Sequence, residues 1–254
     1  MKAVILCGGL GTRLGEETSL KPKPMVEIGG NPILWNIMKT YERYGFNDFI
    51  LALGYKGHII KDYFSNYNSR NSDFTINTKT GIKHFNSIKK VEDWNVDLID
   101  TGKLTLTGGR ILRLKDKLKE TFFLTYGDGV CNVDLNKLLD FHKSHGKVAT
   151  VTAVRPPARF GGMKIEKNQV KEFKEKPQIG EASINGGYFV FEPEIFNYIK
   201  NDNSILEKEP LETLSRENQL MAYEHNDFWH CMDTIRDRDT LNNFIKEGYT
   251  PWLG

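Results

Sequence analysis

The stretch LCGGLGTRLGEETSLKPKPM, residues 6–25, joins an apolar run near the start of the chain to an apolar segment with helical spacing. The run KAVILC, residues 2–7, is almost continuously apolar, as in a strand buried on both faces of a sheet. In open α/β sheets, ligands bind where a loop leaves the C-terminal end of such a strand and leads into a helix. The stretch therefore predicts an α/β fold with a ligand site directly after its first strand.

The rest of the chain extends this pattern. Apolar runs at 48–54, 96–102, 121–126 and 147–154 alternate with helical segments predicted at 32–45, 59–67, 109–118 and 135–146, which indicates a mostly parallel sheet flanked by helices. Asn31 is the expected N-cap and Pro32 the first residue of the helix at 32–45. Beyond residue 155 we expect an antiparallel hairpin over 161–177, a strand at 184–191 and helices near 192–200, 211–217 and 236–247. Residues 68–95 are polar and irregular, with one strand near Thr75. We predict one domain, 1–254, made of a first half (1–154) and a second half (155–254).

Composition excludes several classes of partner. The 35 basic and 33 acidic residues nearly balance, so no strong field favours nucleic acid or an anionic membrane. No run approaches the roughly 20 apolar residues that a membrane span needs. The three cysteines are far apart, and no signal-peptide pattern is present. We expect a cytoplasmic protein with reduced thiols.

The glycine loop suits a phosphate group. Gly8, Gly9 and Gly11 leave backbone N–H groups unshielded, although the loop matches neither the dinucleotide-binding nor the P-loop pattern. Arg13 and Lys23 add positive charge, and the prolines flanking Lys23 restrict its direction. The alternative is a solvated basic loop. Fixed cations beside bare backbone favour a reacting polyphosphate, which normally needs a divalent metal as well.

Two aspartates are candidate metal ligands. Asp128 follows a buried strand in FFLTYGDGV, and Asp233 follows the apolar run FWHCM. Mg²⁺ takes few protein ligands, so one or two carboxylates suffice. The alternatives are a tight turn at Asp128 and a helix N-cap at Asp233, but Thr234 could cap that helix equally well.

The second half offers groups for another ligand. Lys176 stands before a proline in an extended segment, and Asn185 precedes Gly186-Gly187, where a strand bulge is the alternative to a sugar site. The histidines at 142 and 145 fit the end of an amphipathic helix better than a metal site.

Together these segments resemble the sugar-1-phosphate nucleotidyltransferases. The sequence GGLGTRL followed by KPKPM matches the family's G-x-G-T-R…K-P-K signature, and the likeness continues through TYGDG, EKP, NGGYFVF and MDT. The segments WNVDLIDTG, TGGR and FWHCMDTIRDRDTL are similar to members that transfer a cytidylyl group. Coverage is nearly end to end, weakest at 68–90.

This resemblance implies a doubly wound core and the reaction of CTP with α-D-glucose 1-phosphate, giving CDP-glucose and pyrophosphate with Mg²⁺. It also implies a homo-oligomer that serves the synthesis of CDP-linked dideoxysugars for surface polysaccharide, and residues 68–95 are our candidate for part of its interface. Arg13, Lys23, Asp128 and Asp233 would be catalytic, with the two aspartates on the metal. The implied nucleotide site comprises Leu6, Cys7, Gly8, Gly9, Leu10, Gly11, Thr12, Arg13, Lys23, Thr107, Gly108 and Arg110. The implied sugar-phosphate site comprises Glu175, Lys176, Asn185 and Gly186.

A preference for CTP requires an acceptor for the cytosine amino group and a donor for N3. We expect the backbone of Gly8, Gly9 and the turn at 106–110 to supply them, with Arg110 as a further donor to the base. Transfer from UTP or dTTP remains an alternative, as does a non-catalytic nucleotide-sugar sensor. A sensor would not need the catalytic cations and carboxylates.

Overall fold

The computed structural model describes residues 1–87, 91–156, 162–166, 169–174 and 183–254. At its centre is a seven-stranded mixed sheet with the spatial order β7-β5-β6-β4-β1-β2-β3. The first strand pairs in parallel with strands two and four, and only the sixth strand runs antiparallel to its neighbours. This confirms the mostly parallel mixed sheet. The strands are β1 (Lys2–Cys7), β2 (Asp48–Leu53), β3 (Asn95–Asp100), β4 (Phe122–Tyr126), β5 (Ala149–Val154), β6 (Ile184–Phe191) and β7 (Leu220–His225).

Helices connect the strands. They are α1 (Glu16–Leu20), α2 (Ile33–Glu42), α3 (Gly57–Ser65), α4 (Tyr67–Asn71), α5 (Thr107–Leu112), α6 (Leu135–His145), α7 (Glu209–Arg216) and α8 (Ile235–Lys246). The helix predicted over 192–200 is wrong, because only a 3₁₀ turn forms at Pro193–Asn197. The helix predicted over 109–118 is α5 followed by a 3₁₀ turn at Lys115–Lys117. Among the described residues, no helix combines the length and apolar character needed to cross a bilayer.

Apolar side chains cover both faces of the sheet, as a doubly wound fold requires. In β1, Ile5 packs on one face with residues of α2, α6 and α8, whereas Val4 packs on the other with residues of α5 and α7. This alternation follows from the two-residue period of a strand. Both faces of β1 are therefore buried, and its C-terminal end leads into the glycine loop.

Four short antiparallel pairs are added to this core. Gly162–Glu166 pairs with Gln169–Lys174, which confirms the predicted hairpin. Asp73–Ile76 pairs with Lys83–Ser87, so the irregular region holds two strands where one was predicted. Glu27–Ile28 pairs with Asn31–Pro32, and α2 therefore begins at Ile33 instead of at the proline. Gly129–Cys131 pairs with Trp229–Cys231 and brings two distant segments together beside the main sheet.

Candidate active site

The glycine loop follows β1 and turns back over the edge of the sheet. Gly11 has a φ of +65°, a conformation that favours glycine, and a Cβ there would lie 2.8 Å from Thr18 Cγ2. The Thr18 hydroxyl donates to the Gly11 carbonyl at 3.0 Å and holds this turn. Within the described residues, the backbone N–H groups of Gly9 and Gly11 have no hydrogen-bond acceptor. The loop therefore presents donors of the kind that phosphate oxygens accept.

Lys23 lies between the two predicted carboxylates. Its ammonium donates to Asp128 Oδ2 at 2.6 Å and to Asp233 Oδ1 at 2.7 Å. Burial would lower the pKa of Lys23, but the charge and hydrogen bond of Asp128, together with those of Asp233, outweigh burial and raise the pKa. Lys23 is therefore a fixed cation, and its side chain is only 12% exposed.

Two distances bound how far apart these carboxylates are. Lys23 Nζ lies 2.6 Å from Asp128 Oδ2 and 2.7 Å from Asp233 Oδ1. The two carboxylate oxygens are therefore no more than about 5.3 Å apart, the sum of these distances. A single Mg²⁺ binds oxygens at about 2.1 Å and needs only one or two carboxylates beside phosphates and water. No group of three or more His, Cys, Asp or Glu side chains suited to a metal occurs in the described part of the chain. The donor set therefore fits a Mg²⁺ that substrate phosphates help to bind, and it does not fit a metal held by protein alone.

The chain brings Asp128 and Asp233 together through the short strand pair described above. Gly129 is paired with Cys231, and the Met232 N–H donates to the Asp128 carbonyl at 2.8 Å. Asp233 is oriented in turn by Asp237, whose carboxylate accepts from the Asp233 N–H at 3.0 Å.

Thr234 and Asp237 form a capping box at the start of α8. The helix cap is thus Thr234, which leaves the Asp233 carboxylate facing the site. Asp237 was missed in the sequence, although its position three residues after a threonine is the usual signal for this motif.

Arg13 lies at the exposed edge of the same group. Its guanidinium donates to Asp233 Oδ2 at 2.8 Å, and its side chain is 74% exposed. An ion pair this exposed contributes little to stability. Arg13 is therefore available to an anionic ligand at the mouth of the site.

Arg110 is arranged differently. It is 4% exposed, and its guanidinium donates to the carbonyls of Gly8 (2.9 Å), Leu53 (3.0 Å) and Gly102 (2.7 Å) and to the Thr101 hydroxyl (2.8 Å). These oxygens lie at or just after the ends of three neighbouring strands, β1, β2 and β3. Burial lowers the pKa of Arg110, although the negative charge of Asp100 opposes this effect. Arg110 thus ties the C-terminal edge of the sheet together.

These contacts change what was expected of three residues in the predicted nucleotide site. The carbonyl of Gly8 already accepts from Arg110 and from the Tyr55 N–H at 3.2 Å, so it is not a spare acceptor for a base. The N–H of Gly108 donates to the Ser204 carbonyl at 2.9 Å, and Gly108 does not line the cavity described below. Leu10 also points away from that cavity and is half exposed.

Two cavities meet at the carboxylates. The larger, about 360 Å³, is lined by Leu6, Cys7, Gly8, Gly9, Gly11, Thr12, Arg13, Lys23, Pro24, Thr105, Leu106, Thr107, Arg110, Tyr126, Gly127, Asp128 and Asp233. The smaller, about 200 Å³, is lined by Thr125, Tyr126, Asp128, Gly129, Asn185, Gly186, Gly187, Tyr188, Trp229, Cys231 and Asp233. Tyr126, Asp128 and Asp233 belong to both linings. We call these the nucleotide cavity and the sugar cavity, after the ligands that the sequence predicts for them.

The sugar cavity contains the predicted Asn185 and Gly186. Trp229 donates from its indole nitrogen to the Gly186 carbonyl at 2.7 Å and forms part of the wall. Trp229 and Tyr126 were not predicted as site residues, although they lie in the segments FWHCMDTIRDRDTL and TYGDG, four and two positions before the predicted aspartates. The predicted Glu175 and Lys176 lie outside the described residues.

The thiols near the cavities are not nucleophiles. Burial raises the pKa of Cys7 well above its ordinary value, and burial with the charges of Asp233 and Asp128 raises the pKa of Cys231 to about 12. Both sulfurs are therefore protonated at neutral pH.

Known proteins resemble this chain over most of its length. The family model described as nucleotidyl transferase matches residues 2–240. Glucose-1-phosphate cytidylyltransferase of Salmonella typhi is 52% identical over 257 residues, covering 99% of this chain and 98% of that protein. The namesake from Salmonella typhimurium has the same identity and coverage. The crystal structure of HddC from Yersinia pseudotuberculosis complexed with GMP-PN has a TM-score of 0.70 at 25% identity, covering 96% of this chain and 99% of that one.

Proposed function

The chain belongs to the nucleotidyl transferase family, and on that premise we propose that it transfers a cytidylyl group from CTP to α-D-glucose 1-phosphate. The products would be CDP-glucose and pyrophosphate. The observation that carries the proposal is the shared wall of the two cavities, where Asp128 and Asp233 would stand between a triphosphate and a sugar phosphate. The 52% identity to the Salmonella enzyme supports the choice of substrates.

The reaction needs no nucleophile from the protein. A phosphate oxygen of glucose 1-phosphate would attack the α-phosphorus of CTP in line and form the new P–O bond. The bond from the α-phosphorus to the bridging oxygen would break, and pyrophosphate would leave with the electron pair. Because the attacking phosphate is already anionic at neutral pH, the protein's task is to position both substrates and stabilise charge.

The cations of the site suit that task. Arg13 lies at the open edge of the nucleotide cavity, where it could donate to the departing pyrophosphate. Lys23, held between the carboxylates, would contact the α-phosphate. Both would exchange an aspartate partner for a phosphate partner as the substrate enters. Such preorganised charges can account for much of a rate enhancement.

Asp128 and Asp233 would hold Mg²⁺ together with the phosphates. When bound, the ion would neutralise charge on the triphosphate. The aspartates would then be released from Lys23, whose ammonium would turn to the substrate.

The sugar cavity supports recognition of a hexose phosphate. Asn185 and the backbone at Gly186 would contact sugar hydroxyls, and we propose that Glu175 and Lys176 complete this site, with Lys176 on the sugar phosphate. On the nucleotide side, the backbone of Gly9 and of residues 105–107 would contact the base, since the Gly8 carbonyl and Arg110 are already engaged.

We further propose a cytoplasmic homo-oligomer supplying CDP-glucose for CDP-linked dideoxysugars of surface polysaccharide. The hairpin of Asp73–Ile76 and Lys83–Ser87 exposes Ile76 and Phe85, as part of an interface between copies would.

The test is a matrix of CTP, UTP, dTTP and GTP against glucose 1-phosphate and other hexose 1-phosphates, with and without EDTA. We expect pyrophosphate and CDP-glucose in equal amounts from CTP and glucose 1-phosphate, and no turnover with EDTA. Equal rates with CTP and UTP would contradict the cytidylyl assignment. Ligand binding without pyrophosphate release from any pair would indicate a sensor instead.

A further inference from the structure

We infer that Glu207 is a positioning residue that orients the hydroxyl groups of Thr107, which lines the nucleotide cavity, and Tyr126, which lines both cavities, and thereby sets which substrate groups these hydroxyls accept. The inference rests on the proposed function. Glu207 lines neither cavity itself, and no sequence motif pointed to it.

The carboxylate of Glu207 receives both hydroxyl protons. The Thr107 hydroxyl donates to Glu207 Oε2 at 2.7 Å, and the Tyr126 hydroxyl donates to Glu207 Oε1. A hydroxyl group has one proton and two acceptor lone pairs. Since each proton is committed to Glu207, both oxygens can act towards a substrate only as acceptors.

Neighbouring donors also fix the orientation of the Tyr126 and Thr107 hydroxyl groups. Asn185 donates its amide nitrogen to the Tyr126 oxygen at 3.3 Å, and its own oxygen accepts from the Gly187 N–H at 2.8 Å, which determines the amide orientation. The Thr107 oxygen accepts from the Leu206 N–H at 2.9 Å. These hydrogen bonds therefore form one chain that links the two cavities and converges on Glu207 from both sides.

The backbone brings Glu207 to this position. The residues before it dock on the start of α5, where the Leu106 N–H donates to the Asp202 carbonyl at 2.9 Å and the Gly108 N–H to the Ser204 carbonyl at 2.9 Å. A Cβ at Gly109 would lie 2.3 Å from the Asp202 carbonyl oxygen. The glycines of the TGGR segment thus allow the 202–206 segment to pack closely on α5, and this packing places Glu207 beside Thr107.

An acceptor on each cavity suits substrates rich in hydroxyl groups. A hexose 1-phosphate and the ribose of a nucleotide both present O–H donors, and a site built to hydrogen-bond a substrate hydroxyl discriminates against an analogue that lacks it. The Tyr126 ring is held in place as well, because Gly187 leaves no space for a Cβ, which would be 2.6 Å from Tyr126 Cδ2. Glu207 therefore acts through a fixed tyrosine and a fixed threonine.

Glu207→Gln tests this with little change of shape. Thr107 and Tyr126 donate to different oxygens of Glu207, and glutamine replaces one of these oxygens with an NH2 group. The hydroxyl that faces this NH2 group can no longer donate to it and must turn its proton into a cavity. We expect KM for the sugar phosphate to rise at least about fivefold while kcat changes less than about threefold. The matched control is Glu209→Gln, because Glu209 pairs with Lys200 away from both cavities, and we expect wild-type constants for it.

A double-mutant cycle separates positioning from a structural role. Tyr126→Phe removes the hydroxyl, so adding Glu207→Gln to it should leave KM for the sugar phosphate unchanged. Thr107→Val should raise KM for the nucleotide and not KM for the sugar phosphate. Glu207→Asp keeps the charge but withdraws it by one methylene, and we expect the same direction of change as with glutamine.

Two results would overturn the inference. One is a Glu207→Gln protein with both KM values within about twofold of those of Glu209→Gln. The other is a double variant whose increase in KM for the sugar phosphate equals the product of the increases in Glu207→Gln and Tyr126→Phe. Such a product would mean that Glu207 acts independently of the tyrosine. The constants are measured with the triphosphate and sugar phosphate that the unmodified protein uses best. Failure of the CTP assignment would therefore be seen in the wild-type matrix, separately from failure of the role of Glu207.

Discussion

Arg13 and Arg110 both line the nucleotide cavity and differ in what their guanidinium groups contact. Arg13, on the loop wall formed by residues 8–13, is 74% exposed and faces the carboxylate of Asp233. Arg110, on the helix wall formed by residues 105–110, is 4% exposed, and within the described residues it donates to three carbonyls and a hydroxyl. The guanidinium of Arg13 in the loop wall is therefore available to a ligand, whereas that of Arg110 in the helix wall binds the ends of the sheet strands.

The difference shows how burial decides the use of a cation. A buried guanidinium must find acceptors for its N–H groups, and backbone carbonyls at strand ends supply them. An exposed guanidinium is solvated, and its ion pair contributes little free energy, so little is lost when a phosphate replaces its partner. Variants of the exposed Arg13 should therefore lose activity and keep stability, and variants of the buried Arg110 should do the reverse.

The largest effect is expected at the carboxylates facing the loop wall. Asp128→Asn and Asp233→Asn should each lower kcat at least about 1000-fold, because charge stabilisation at the phosphates is lost. The melting temperature should change little. The control is Asp116→Asn, a fully exposed acid paired only with Lys119 among the described residues. If either variant kept more than about a tenth of wild-type kcat, the carboxylates would not be central to the reaction.

The next effect contrasts the two arginines directly. Arg110→Met should lower the free energy of unfolding by about 3 kcal/mol or more, since several buried acceptors lose their donor. Arg13→Ala should leave that free energy unchanged and lower kcat about 10- to 100-fold, with a smaller change in KM for CTP. Urea unfolding and steady-state kinetics of both variants measure this. A stable Arg110→Met protein with altered base preference would restore the role in base recognition that the sequence suggested for Arg110.

A glycine pair provides a smaller contrast within the loop wall. A Cβ at Gly8 would lie 2.2 Å from the Arg110 guanidinium carbon, whereas a Cβ at Gly9 would meet no atom within 4 Å. Gly8→Ala should therefore cost about 1–3 kcal/mol of stability, and Gly9→Ala less than about 0.5 kcal/mol. We expect Gly9→Ala instead to raise KM for the nucleotide, because it narrows the approach to the loop. Equal unfolding midpoints for the two variants would contradict the packing of Arg110 on Gly8.

The smallest effect concerns metal binding without nucleotide. In Lys23→Met the two carboxylates lose the ammonium between them, so their affinity for Mn²⁺ should rise at least about tenfold. Lys21→Met is the matched control, since Lys21 pairs with Glu27 outside the site. Mn²⁺ binding is measured by electron paramagnetic resonance of the free ion. An unchanged affinity in Lys23→Met would show that the lysine does not compete with a metal.

Local pattern predicted the elements that carry the site. The buried first strand, the glycine loop, the cap at Thr234 and the α6 helix ending at Gly146 all depend on neighbours within a few residues, and all are present. The hairpin beyond residue 161 was predicted for the same reason. The helix expected over 192–200 failed because apolar spacing alone does not distinguish a buried 3₁₀ turn from a longer helix.

The sequence by itself determined that the chain has a glycine-rich loop with its own cations and two candidate carboxylates on a mostly parallel sheet. It also determined the family, through motifs spread along its length. Only the tertiary structure decided which of these groups face a cavity. Arg110 and Gly108 were assigned to the ligand and are engaged with backbone. Tyr126 and Trp229 lie in quoted family segments but were assigned no role, Glu207 lies in none, and all three form or support the walls. The reason is physical: hydrogen-bond partners at the end of a sheet come from strands and segments up to 220 residues apart, and local sequence does not encode their distance.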